Sequence, residues 1–158
     1  GITNFTKDTI VELRDTIWAM NHNEITFEDL KSRIYNFIEK AKESKENIDF
    51  IFTIDEQLND VKFSSVVGMN IYRTIQEAIN NAIKHANASQ INIQISKEQD
   101  QISIQIIDDG DGFDLETVSK NNGLTNMENR ISSINGDFKI ETNPATGTKI
   151  SILLNKTT

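Results

Sequence analysis

The 158-residue chain reads as an α+β protein: a two-layer α/β sandwich with a mixed, mostly antiparallel sheet, helices on one face, and a helical appendage before it. Three observations carry that expectation. In two segments apolar and polar residues alternate cleanly: Ile91, Ile93 and Ile95 against Asn92, Gln94 and Ser96, then Ile102, Ile104 and Ile106 against Ser103 and Gln105. Such alternation marks strands with one buried and one wet face, which antiparallel sheets tolerate. A long stretch from about Ser64 to Ala86 repeats Ile71, Ile75, Ala78, Ile79 and Ala82 at helical spacing. The composition, 37% hydrophobic and 25% charged with one Pro and 7 Gly, is that of a folded chain without low-complexity linkers. At this length it can bury about two-thirds of its unfolded surface.

The elements follow in order. Residues 5–22 are expected to form a helix, because Ile10, Leu13, Ile17 and Met20 recur three and four apart like the seam of a coiled coil, with Val11 and Trp18 widening the stripe. Asn21-His22-Asn23 ends it. Thr26 is placed to cap a second helix, with Glu28 and Asp29 in its first turn, where the helix dipole favours negative charge. Its apolar positions are Phe27, Leu30, Ile34, Phe37, Ile38 and Ala41. These two helices are expected to form a separate segment, residues 1–46. From Ile48 the pattern changes. A short strand at 49–54 precedes the long helix, and the alternating pair forms a hairpin turning at 97–100. A loop rich in Asp, Gly and Asn fills 108–123. A helix from about Leu124 to Ile134 stops at Asn135-Gly136, and strands at 138–142 and 148–154 close the second unit, residues 47–158.

Charge and cysteine content exclude several functions. With 24 acidic and 16 basic residues the net charge is −8, which opposes nucleic-acid binding and docking on anionic lipid, since both run on Lys and Arg. The absence of Cys excludes disulfides, thiol catalysis and thiolate metal sites. The two His are too far apart for a local metal motif. No apolar run approaches the ~18–20 residues of a membrane span, and no signal peptide is seen; the expected location of this piece is cytoplasmic, whether its parent is membrane-anchored or not. The chain begins with Gly rather than Met and is expected to be a piece of something longer.

Residues suited to chemistry fall in three places. On the long helix, at about 100° per residue with Glu77 at zero, Asn81 lies near 40°, Lys84 near 340° and His85 near 80°, opposite an apolar stripe between about 100° and 200°. One reading is a solvated face. The other is a magnesium-phosphate site, because an amide oxygen is a hard ligand suited to Mg²⁺ and a Lys is a point charge for phosphate. In the second strand of the hairpin, parity carries Asp108 to the same side as Ile102, Ile104 and Ile106. A carboxylate there needs a partner, and the same parity turns Thr148 inward with Ile150 and Ile152. Asp109-Gly110-Asp111-Gly112 follows, either as a plain turn or as backbone that a ligand can approach closely. A calcium loop is excluded, since Asp114 stands where the sixth position needs Gly and the bidentate Glu at the twelfth is missing. In the third place Asn121-Asn122-Gly123-Leu124 opens into a helix, whose first amides suit phosphate. The chain has no P-loop, no dinucleotide fingerprint and no nucleophile elbow.

Together and in this order the segments resemble the GHKL (Bergerat-fold) ATP-binding catalytic domain of bacterial two-component sensor histidine kinases. Gln76 to Ala86 is similar to its N box, Asp108 to Phe113 to its G1 box, Gly123 to Arg130 to the G2 region, and Thr146 to Lys149 to the last box. Glu12 to Met20 resembles the second helix of the dimerisation and phosphotransfer region, most like the subfamily partnered with helix-turn-helix response regulators.

The resemblance implies that Mg²⁺ and ATP are bound. Asn81 would ligate the metal with Glu77 beside it, and Lys84 and His85 would lie near the phosphates. Asp108 would accept the adenine amino group, helped by Thr148 through water. Gly110 and Gly112 would shape the adenine pocket, and Gly123 and Leu124 would hold the lid backbone against the phosphates. Asn121 stands where the family usually has the first lid glycine, and the lid is short. Neither His22 nor His85 has the acidic neighbour of a phosphoacceptor, so the acceptor helix is expected upstream. The implied function is that of a protein histidine kinase, with Glu77, Asn81 and Lys84 as catalytic residues. Its partners would be the acceptor helix, a response regulator and a second copy paired through the N-terminal helix. The alternatives are a GHKL ATPase or Ser-directed kinase, and a nucleotide-binding pseudokinase that serves as a dimerisation module.

Overall fold

The computed structural model describes residues 24–44, 47–85, 87–112 and 123–155, with Ile10, Leu13 and Ile17 in helical conformation. The remainder of the expected helix at 5–22, including Trp18 and Met20, lies outside the described residues, as do His22, residues 113–122 of the expected lid with Asn121, and the His85 side chain. The elements run β1 (Glu24–Thr26), α1 (Phe27–Ser44), β2 (Asp49–Ile54), a single 3₁₀ turn (Glu56–Leu58), β3 (Lys62–Ser64), α2 (Ser65–His85), β4 (Gln90–Glu98), β5 (Gln101–Asp108), α3 (Gly123–Ser133), β6 (Asp137–Asn143) and β7 (Gly147–Asn155).

The main sheet has five strands in the order β2-β4-β5-β7-β6. Only β2 with β4 is parallel, and the other neighbours are antiparallel. This is the mixed, mostly antiparallel sheet the alternation implies. The isoleucines at 91, 93, 95, 102, 104 and 106 are all buried, as are Ile150, Ile152 and Leu154. They pack beneath α2 and α3 through Ile71, Ile75, Ile79, Met127 and Ile131 in one hydrophobic cluster. The hairpin closes on Gln99 and Asp100, with Gln99 at positive φ, tighter than the four-residue turn the sequence suggests.

Two features were not legible. Glu24–Thr26 and Lys62–Ser64 pair as a small antiparallel sheet, and Ile25 sits so close over Gly68 of α2 that a Cβ there would lie 2.8 Å from its Cδ1. The helix α1 is not packed apart from the sheet either. Its Phe27, Leu30, Ile34 and Ile38 belong to the same cluster as the sheet isoleucines, so the change of pattern at Ile48 separates no two cores among the described residues. The physical reason is that a narrow apolar stripe on an 18-residue helix needs a partner surface, and α2 supplies it. The Thr26 cap forms as the sequence suggests: the Asp29 N–H donates to Thr26 Oγ1 at 3.1 Å, and the Thr26 N–H returns to Asp29 Oδ2 at 3.3 Å.

Candidate nucleotide site

The strand parity that buries Ile106 also buries Asp108, which is 4% exposed. Asp108 stands directly across the β5–β7 ladder from Thr148, which is 3% exposed. The Gly110 N–H donates to Asp108 Oδ1 at 2.9 Å. Burial pushes the Asp108 carboxyl above its usual range, while the backbone N–H groups of Gly110 and Thr148 pull it partly back and the neighbouring Asp109 charge pushes it up again. A buried acceptor of this kind suits a ligand that donates N–H groups. The Thr148 hydroxyl lies 2.9 Å from the Thr142 hydroxyl on β6. A cavity of about 450 Å³ opens here, lined by Asp108, Thr142, Asn143, Gly147 and Thr148 among others.

Glycines shape this end of the sheet. Gly112 has φ +70°, and a Cβ on it would come within 2.8 Å of Thr142 Oγ1. Gly147 has φ +97°, and its Cβ would collide with the Asp108 carbonyl oxygen. Gly110 is buried beside them.

Asp109 has a different task. Its carboxylate accepts the Ser89 N–H at 2.8 Å, the Gln90 N–H at 2.9 Å and the Ser89 hydroxyl, and so ties the end of β5 to the loop after α2. The Ser89 hydroxyl, above all, holds its pKa below the usual carboxylate value.

A second group forms on α2. Glu77 and Asn81 are half-buried on the face opposite the core stripe. The first residue of α3 rests against them: a Cβ on Gly123 would lie 2.8 Å from Glu77 Oε1 and 3.7 Å from Asn81 Nδ2. An amide, a carboxylate and a helix N-terminus thus converge, which is a donor set suited to a phosphate and a hard cation. Among the described residues no group of three or more His, Cys, Asp or Glu side chains is placed to hold a metal ion. Lys84 is exposed one turn further along, and the backbone of His85 ends the helix. The Leu124 side chain is buried in the core, so only its backbone faces the site. The cavity at Asp108 is not lined by Glu77 or Asn81, and the two groups stand as separate halves.

The sequence did not single out Thr142 or Ser89, and Gly147 stood only as a member of the Thr146–Lys149 box, without a role of its own.

A sequence profile of the "Histidine kinase-, DNA gyrase B-, and HSP90-like ATPase" family matches residues 67–158, more than half of the chain. The chain belongs to that family. The span of the ATPase domain matched in this way holds both halves of the site, and β1, α1, β2 and β3 precede it. Over 160 aligned positions the chain is 27% identical to an uncharacterized sensor-like histidine kinase of Chloroflexus aurantiacus, covering 97% of this chain and 27% of that protein. Over 96 residues it is 31% identical to the sensor protein VraS of Staphylococcus haemolyticus, covering 60% of this chain and 28% of that protein. The chain thus spans a little over a quarter of the length of these curated relatives.

Among solved structures, the catalytic domain of histidine kinase ThkA superposes with a TM-score of 0.67 at 21% identity, covering 84% of this chain and 95% of that one. The histidine kinase domain of the blue-light activated kinase EL346 of Erythrobacter litoralis gives 0.69 at 15% identity, covering 86% and 69%. These likenesses establish the shared α+β fold of histidine kinase catalytic domains. No helix among the described residues of the ATPase domain is long and apolar enough to cross a membrane.

Proposed function

We propose that this chain is the catalytic part of a sensor histidine kinase, binding Mg-ATP and presenting the γ-phosphate to a histidine on another helix, for relay to a response regulator. The observation that carries this reading is the buried Asp108–Thr148 pair at the end of β5 and β7, a base-recognition site in a family of ATPases. Asp108 accepts the exocyclic N–H of adenine, and Gly110 and Gly112 let the backbone lie close to the ring. Asn81 offers its amide oxygen to Mg²⁺ beside Glu77. Lys84, His85 and the first amides of α3 at Gly123 and Leu124 face the phosphates. When bound, the nucleotide supplies the phosphoryl group, and what this chain does is position and screen charge. Residues 47–158 form the nucleotide-binding unit with α1 docked on it, and the segment before β1 belongs to the dimerisation region. The exposure of Ile10, Leu13 and Ile17, 44%, 60% and 50%, supports a helix there that pairs with a second copy or with the acceptor helix. The site faces the cytoplasm in this reading.

Calorimetric titration with ATP, with and without Mg²⁺, tests the site. Asn81→Ala is expected to abolish the Mg²⁺-dependent part of the affinity and leave the metal-free part. Equal affinity of the wild type and this variant under both conditions would sink the assignment.

A further inference from the structure

We propose that Asp109 is a positioning residue for base recognition: by pinning its own carboxylate to Ser89 and Gln90 it fixes the turn that aims the Asp108 carboxylate at the exocyclic amino group of adenine. The inference rests on the nucleotide-site reading above and adds to it the residue that holds the acceptor in place.

Asp108 is the last residue of β5, and the ladder pairs end with it, opposite Ile91 on one side and Thr148 on the other. The Thr148 N–H holds its carboxylate from β7. The Gly110 N–H holds it from the turn, donating to Oδ1 at 2.9 Å. Two contacts fix the plane of a carboxylate where one leaves it free to swing. A side chain bonded to the amide two residues on closes a turn about the residue between, so the backbone angles of Asp109 decide whether the Gly110 N–H meets its acceptor. The sheet constrains that residue weakly: its N–H reaches the Gln90 carbonyl at a long 3.3 Å.

The Asp109 side chain supplies the missing constraint. Its Oδ1 accepts the Ser89 N–H at 2.8 Å and the Gln90 N–H at 2.9 Å, and its Oδ2 takes the Ser89 hydroxyl. The anchor is firm. The Ser89 carbonyl accepts the Asp49 N–H of β2 at 2.9 Å, Gln90 stands in register with Asp49, and the adjoining Ala88 is buried. Asp109 itself does not line the cavity at Asp108, so it acts on the base through its neighbours and not by touch.

Asparagine separates this geometry from charge. Its Oδ1 can accept both N–H groups, and its Nδ2 can donate to the Ser89 hydroxyl oxygen, so all three contacts survive without the charge. Alanine loses both. The Asp109 charge pushes the Asp108 carboxyl up. Both variants remove that influence alike, and the difference between them reads the pin alone.

The test is calorimetric titration of the whole chain, in Mg²⁺, with ATP and with purine riboside triphosphate, in which hydrogen replaces the exocyclic amino group. The proteins are wild type, Asp109→Ala and Asp109→Asn, with melting of each unliganded form as the check on folding. Wild type is expected to prefer ATP by about tenfold, the worth of one well-made hydrogen bond. Asp109→Ala should bring that preference within about twofold through weaker ATP binding, with purine riboside triphosphate bound as by wild type. Asp109→Asn should restore the preference. If the alanine variant fails to fold, Asp109→Ser, too short to reach both amides as the carboxylate does, carries the same comparison. An alanine variant that weakens both nucleotides equally, or keeps the full preference, overturns the inference and leaves the nucleotide site standing. An asparagine variant that loses the preference as alanine does has the same effect. Wild type that binds neither nucleotide, or binds both equally, overturns the site reading and this inference together.

Discussion

Two adjacent carboxylates at the end of β5 have opposite fates. Asp108 is buried and its pKa is raised from 3.8 chiefly by desolvation. Asp109 is exposed and its pKa is lowered from 3.8, first by the Ser89 hydroxyl. The linkage signs differ accordingly. The native state holds the Asp108 proton more tightly than the unfolded chain does, so its contribution to stability is greatest at low pH and is lost as pH rises from about 3.8 through the folded value. The Asp109 contribution is present above 3.8 and is lost as pH falls through its depressed folded value. Asp108→Asn removes the buried charge and keeps an acceptor for Gly110. Denaturant melts of the unliganded protein are expected to find the variant at least as stable as wild type at pH 7, with its advantage shrinking toward pH 4. Its affinity for ATP should nonetheless fall by about 1–3 kcal/mol, read by calorimetry. Parity along β5 was enough to place Asp108 inward, because side chains of a strand alternate between its faces and Ile102, Ile104, Ile106 and Asp108 are all buried, although Ser103 on the other face is buried as well. The partnership of Asp109 with Ser89 was not legible, since it spans twenty positions through an irregular loop.

At the level of elements, the long periodic segments were legible and the short ones were not. A 21-residue helix and a hairpin of clean alternation declare themselves. Three-residue strands such as β1 and β3 contain too few positions to show a period, and their pairing depends on Ile25 and Phe63 finding the core. The docking of α1 was hidden for a related reason: an apolar stripe shows that a helix is covered, not by what. Thr142 was hidden because β6 alternates between exposed and half-buried positions, so nothing in its pattern marks one threonine. Thr26→Ala removes one arm of the reciprocal cap on α1 and is expected to cost about 1 kcal/mol, measured as a lower denaturant midpoint with unchanged ATP affinity. Gly147→Ala acts on both quantities. Its positive φ costs a side chain about 1–3 kcal/mol, and the collision with the Asp108 backbone must displace the site, so lowered stability and lost ATP binding are expected together. Normal affinity in a destabilised Gly147→Ala would show that β7 can start elsewhere without moving Asp108.

For the whole molecule, the division of labour is the point to test. His85 ends a helix whose register is fixed by the core, so it cannot travel to an in-line position at the ~3–3.5 Å that transfer requires. The chain is therefore expected to bind Mg-ATP without forming a stable phosphohistidine of its own, and to phosphorylate a separate polypeptide that carries an acceptor helix. Acid-labile label on His22 or His85 would overturn this.

The sheet has a consequence for any such assembly. Among the described residues no strand pairs beyond β2 or β6, and an outermost strand left so is a template for unwanted growth by a neighbouring chain. Along β6 the exposed positions are Asp137, Lys139, Glu141 and Asn143, and Lys139 pairs with Glu141 at 3.1 Å. Tethering two copies raises their mutual concentration to the order of millimolar, where a bare apolar margin would zip into fibres. To join through β6, a second copy would have to dehydrate that charged row. A second copy held nearby is therefore expected to be kept from pairing edge to edge through β6.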